Sequence, residues 1–139
     1  MKFYKTKINK LSGTSHKEIN KKAQRNYNEI KKKTKRRPYV RSVYFKKSKI
    51  FIGLFWSHLY EKKTWGERKR RVALFPCAIE LIKNSKINPE SREDSNKKSE
   101  ILHRFYGVTA DGEKFCVQIK ENKRTSEKYL ISVFPYEDK

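Results

Sequence analysis

The segment ILHRFYGVTADGEKFCVQIK, Ile101 to Lys120, constrains the fold most, because alternating apolar residues flank an Asp111-Gly112 pair. Asp-Gly tolerates the positive φ that both central residues of a type I′ turn require, so an antiparallel hairpin with a two-residue loop is predicted. That loop sets Ala110 opposite Glu113, Tyr106 opposite Val117, Phe105 opposite Gln118 and His103 opposite Lys120. Period-two alternation then assigns Tyr106, Val108, Phe115, Val117 and Ile119 to a core face. His103, Phe105, Cys116, Gln118 and Lys120 take the other. A third strand is expected in KYLISVFP, with Tyr129, Ile131 and Val133 on the core face and Ser132 beside His103 and Lys120.

Helical spacing dominates upstream. In SKIFIGLFWSHLYEKK, the residues Phe51, Leu54, Phe55, His58 and Leu59 form one stripe, with Ser48 as N-cap and lysines closing the helix. His58 lies on that stripe or at its margin, where a histidine is ordinarily a packed, hydrogen-bonded residue. GERKRRVALFPCAIELIKNS carries a second apolar face through Leu74, Ala78, Leu81 and Ile82, which Pro76 must kink or restart. Asn84 to Ser99 is polar and aperiodic, and reads as a mobile loop. Ile19, Ala23, Tyr27 and Ile30 permit an amphipathic helix from about Ser15 to Lys33, marginal or disordered until it meets a polyanion. PYVRSVYF then alternates as a short strand. The fold class expected is α+β: two or three N-terminal helices on one face of a small antiparallel meander of three to four strands, preceded by a basic N-terminal arm. Residues 1–47 would form the partly disordered or helical extension and 48–139 the domain.

Charge bears on partners. The net charge is +21, and the first 50 residues hold 18 Lys and Arg against 2 Asp and Glu. An electropositive segment beside a milder domain suits a polyanion, most often nucleic acid. The run containing Lys35, Arg36 and Arg37 and the cluster Arg68 to Arg71 are candidate phosphate contacts, Arg70 and Arg71 foremost. The two cysteines and three histidines have no metal-ligand spacing, so no metal or other cofactor is expected. No apolar run is long enough to span a bilayer, which predicts a soluble, cytoplasmic protein.

The helices, the polar loop and a meander ending in SVFP, Ser132 to Pro135, resemble the phage-associated nucleases of the barnase/EndoU/colicin/RelE-like (BECR) group. The likeness lies in ELIKNSKINP, in the hairpin and in YLISVFP, and spans roughly Ser48 to Pro135. It implies a metal-independent endoribonuclease, often a toxin or mobile-element effector, with its site on one face of an antiparallel sheet. Carried over, the strand histidine is His103, the strand cation Lys120 and the last-strand hydroxyl Ser132. EndoU-like enzymes use two histidines, and a single His with Lys and Ser is closer to the tRNA-cleaving colicins. The reaction would be attack of an RNA 2′-hydroxyl on the adjacent phosphate, leaving a 2′,3′-cyclic phosphate, with His103 as base and Lys120 neutralising the phosphate. Arg104 would assist from a bulge or an edge, Gln118 shares the polar face, and Phe134 and Tyr136 would stack on bases. RNA, tRNA or the ribosome, and a cognate inhibitor protein are the partners implied. A basic RNA- or DNA-binding protein without chemistry is the alternative.

Overall fold

The computed structural model describes residues 2–60 and 64–137. In chain order they form β1 (Tyr4–Lys5), α1 (His16–Lys33), β2 (Tyr39–Ser42), β3 (Ser48–Phe51), α2 (Gly53–Tyr60), α3 (Trp65–Ala73), α4 (Phe75–Asn84), β4 (Glu90–Asp94), β5 (Lys97–Val108), β6 (Lys114–Asn122) and β7 (Lys128–Pro135). The strands build one seven-stranded mixed sheet that curls into a half-barrel, in the order β1-β5-β6-β7-β3-β2, with β4 also paired to β5. β1 runs parallel to β5 and β3 parallel to β7, and the other pairs are antiparallel. This corrects the expected meander of three to four strands under N-terminal helices. The basic segment is no arm preceding the fold either: β1 extends β5, β2 forms the far edge of the sheet, and α1 packs on α3.

Local chemistry explains most elements. Ser15 caps α1 by accepting from the Glu18 amide, Glu18 lies in the first turn, and Lys31 to Lys33 face the carbonyl end. Ile19 and Ala23 then join the core, so tertiary burial overrides the like-charge repulsion of this helix. Pro76 falls in the first turn of α4, where its missing N–H costs nothing, and the helical run breaks there as expected. The helix predicted from Ser48 starts instead at Gly53, because Ser48 to Phe51 pair with β2, and Ile50 and Phe51 also pair with β7. Lys62 and Lys63, expected to close it, lie outside the described residues. Part of the predicted loop is also strand: Glu90 to Asp94 pair with β5.

The central hairpin differs by one residue from the expected register. Gly112 takes φ 94°, the Gly112 amide donates to the Thr109 carbonyl at 2.9 Å, and the Thr109 amide donates to the Glu113 carbonyl at 2.8 Å. The loop therefore has three residues, and Tyr106 pairs with Cys116, Phe105 with Val117, and His103 with Ile119. A one-residue slip exchanges the faces of one strand relative to its partner. His103, Phe105 and Gly107 now face the core with Phe115, Val117 and Ile119, while Leu102, Arg104 and Tyr106 face away. The third strand changes phase as well: Ser132 pairs with Gln118, but Leu130 pairs with Ile119, so Ile131 is a β-bulge residue. In place of the expected Tyr129 and Ile131, Leu130 reaches the core across that bulge, and Val133 does so as expected. With Ile50, Phe55, Leu74, Phe75 and Leu81 they form one buried cluster, each large side chain contributing about 1.5–3 kcal/mol. No helix among the described residues is long and apolar enough to cross a membrane.

Candidate functional site

The register separates the three residues expected to act together. His103 is 7% exposed and lies on the core face, its ring centroid 5.0 Å from that of Phe45. Its Nδ1 is 2.6 Å from Ser91 Oγ and its Nε2 is 2.7 Å from Glu121 Oε1. The other Glu121 oxygen is 3.8 Å from Nζ of the buried Lys128, which donates to the Ser126 carbonyl at 3.0 Å. Both imidazole nitrogens are thus engaged in a polar cluster joining β4, β5, β6 and β7. Lys120 projects from the opposite face, 3.6 Å from Glu100 and 3.9 Å from Asp94, and pairs with Leu102 and Tyr129 rather than His103. The joint grip of His103, Lys120 and Ser132 on one phosphodiester is therefore corrected: the histidine is on the wrong side of the sheet.

Ser132 instead belongs to a row that crosses three strands on the open face. Arg104 of β5, Gln118 of β6 and Ser132 of β7 are register partners in sequence across the sheet. Here the bulge at Ile131 is decisive, because the pairing of Leu130 with Ile119, continued unbroken, would set Ser132 beside Val117 on the core side. Arg71 reaches this row from α3: its Nη1 donates to Ser132 Oγ at 3.0 Å, and its Nε donates to Glu67 Oε1 at 2.7 Å. Glu67 lies one turn earlier, its amide donating to the Thr64 cap, so the first turn of α3 positions the carboxylate that holds the guanidinium. Arg71 is only 15% exposed at its side chain. The guanidinium carbons of Arg71 and Arg104 lie 5.4 and 5.5 Å from the Phe134 ring centroid, which sets two cations about one aromatic.

A cavity of about 190 Å³ opens at this place, with His58, Arg71, Gln118 and Ser132 as its polar lining and Phe55, Leu59, Ile131 and Val133 as its apolar walls. His58 is half-buried. Gln118 also borders a second depression of about 110 Å³, which includes Arg92, Arg104 and Glu90. The arrangement offers a fixed cation, a hydroxyl, an amide and an imidazole around one small polar volume. Those are the groups that bind a phosphodiester and move a proton beside it.

The remaining predicted contacts divide. Arg70 points elsewhere, paired with Glu137 at 3.3 Å and Glu67 at 4.0 Å. Tyr136 packs in an edge-on cluster with Phe3 and Tyr106, at centroid distances of 5.6 and 5.7 Å. Lys35, Arg36 and Arg37 border a separate groove at the β2–β3 end of the sheet. The sequence named Arg71, Arg104, Gln118, Ser132 and Phe134 among its candidates, by charge, strand alternation and the resemblance together, and the structure gathers these. It missed His58 as their companion, since on a helical stripe an imidazole reads as packing; only the approach of α2 to β7 places it at the cavity. Comparisons of the chain with protein-family models, curated proteins and solved structures find no match.

Proposed function

We propose that this chain is a metal-independent endoribonuclease of the barnase/EndoU/colicin/RelE-like kind, a toxin-like or mobile-element enzyme acting on RNA in the cytosol. The observation that carries the reading is the Arg71–Ser132 hydrogen bond of 3.0 Å inside a cavity that His58 and Gln118 also line. Arg71 would hold a non-bridging phosphate oxygen through N–H groups not engaged by Glu67, a charge-assisted contact that strengthens as the phosphorane gains charge. Ser132 accepts from Arg71 and keeps its own hydroxyl hydrogen for a second phosphate oxygen. Imidazole is the side chain that exchanges protons near neutral pH, so His58 takes the proton of the 2′-hydroxyl as that oxygen bonds to phosphorus. The bond to the 5′-oxygen breaks, and the departing alkoxide takes its proton from water or from the imidazolium. A 2′,3′-cyclic phosphate remains. No enzyme nucleophile is needed, because the RNA supplies its own.

The test is incubation of purified protein with total RNA in EDTA, with end-group mapping of the fragments. His58→Ala should lower cleavage by about 10²- to 10⁴-fold. His103→Ala, compared at equal folded fraction, should cleave like wild type. Absence of cleavage by the wild-type protein, or equal rates for His58→Ala and wild type, would overturn the proposal.

A further inference from the structure

The open face also carries a row of aromatic rings that the cavity does not use. Tyr39, Phe51 and Tyr129 are register partners across β2, β3 and β7. Their neighbours Val40, Ile50 and Leu130 are buried in the core, so the three rings project from the opposite face. None of the three is fully buried. Centroids are 6.2 Å apart for Tyr39 and Phe51 and 6.0 Å for Phe51 and Tyr129, the spacing of a continuous aromatic surface.

Cations surround this surface. The Arg37 guanidinium carbon lies 3.8 Å from the Phe51 centroid, and Lys49 Nζ and the Arg41 guanidinium lie 4.7 and 5.5 Å from that of Tyr39. Glu127 fixes the first of these by accepting from Arg37 at 2.5 Å, and accepts from the Tyr129 hydroxyl at 3.0 Å. Lys33, Lys35 and Arg36 border the adjoining groove, of about 590 Å³. An acidic peptide would use the charges and leave the rings idle. A duplex would offer phosphates but hide its base faces. Unpaired nucleotides use both, since every base has a π-face for an aromatic or a guanidinium plane and every phosphate suits a lysine or arginine.

We propose that the Tyr39–Phe51–Tyr129 row is a docking platform for a single-stranded stretch of nucleic acid, its bases stacking on the rings and on Arg37 and its phosphates meeting Lys33, Lys35, Arg36 and Lys49. The binding claim stands apart from cleavage. Where both hold, the platform also selects substrate, because Tyr129 precedes Ser132 by three residues on β7, about 10 Å of strand. The row would then favour unpaired RNA leading into the cavity.

The experiment is fluorescence anisotropy with a short 2′-O-methyl RNA, which has no free 2′-hydroxyl to attack, as a single strand and as a duplex with its complement. The single strand should bind more tightly than the duplex. Tyr39→Leu and Phe51→Leu should each weaken single-strand binding by about tenfold and leave duplex binding nearly unchanged, while Tyr39→Trp retains it. Circular dichroism confirms that each variant is folded. Because the 2′-O-methyl strand cannot be cleaved, single-strand binding by a protein that fails to cut RNA upholds the platform and tells against the cavity chemistry alone. Equal weakening for strand and duplex, or no weakening in folded variants, would overturn the platform.

Discussion

Replacing Gly107 by alanine probes the hairpin register on which the placement of every site residue depends. Gly107 lies on β5, paired to Phe115 of β6 and Tyr4 of β1. An added Cβ would sit 2.8 Å from Leu81 Cδ1 and closer still to Phe115 Cζ, whereas unstrained carbons rest at about 3.5–4.0 Å. Both neighbours are core residues, Phe115 fully buried and Leu81 1% exposed, so neither has solvent to retreat into. Overpacking of this kind costs about 1–3 kcal/mol. Relief of the glycine's strand penalty returns roughly 0.5–1 kcal/mol, which leaves a net loss centred on about 1 kcal/mol. In a chain of this length the melting temperature should fall by about 3–8 °C, read by thermal circular dichroism. Leu81→Ala in the same chain makes room, so the double variant should be more stable than the sum of the two single losses. With a two-residue loop, residue 107 would face outward and alanine would be neutral or stabilising. An unchanged or raised melting temperature would refute the core-facing register, and with it the inward position of His103.

Two further outcomes follow from titrating groups. Burial, and then the nearby charges of Arg68 and Lys69, hold the His16 imidazole below its ordinary value of 6.5. The unfolded chain therefore binds more protons here, and the stability this neutral imidazole contributes is present above pH 6.5 and lost as pH falls through the depressed folded value. His16→Gln should flatten the decline of stability on acidification below 6.5 in urea titrations at several pH values, and an unchanged slope would exclude His16 as its source. Burial also pushes both thiols, Cys77 and Cys116, up to about 11. Iodoacetamide at mildly alkaline pH should leave both unmodified in the native protein and alkylate both in denaturant, as read by mass spectrometry. Labelling of either in the native state would contradict its burial.

Legibility followed locality. The extent of α1 from about Ser15, its apolar spacing and the break at Pro76 are set by residues within a turn or two, and the sequence revealed them. The run from Ser48 to Leu59 mixes two periods, because a strand ends at Phe51 and a helix starts at Gly53; one helical stripe fits the whole run only if the partners β2 and β7 are unknown. β4 is largely exposed and polar, so no hydrophobic alternation announces it. Asp111-Gly112 correctly marked a hairpin, yet Thr109 and the positive φ of Gly112 select a three-residue loop, and that one residue moved His103 inward. The site was legible as a set of residue types, Arg71, Arg104, Gln118, Ser132 and Phe134. Its assembly depended on a bulge and on helix docking, neither of which has a sequence period.

β7, the last strand among the described residues, lies inside the sheet, where it joins β6 on one side to β3 on the other. Without it, the β2–β3 pair and the β5–β6 hairpin share no strand partner. The same strand carries the serine hydroxyl that completes the cavity. Closure of the sheet and completion of the cavity are therefore one event, and displacing β7 from between β6 and β3 would remove the cavity's hydroxyl together with the link between the two halves of the sheet.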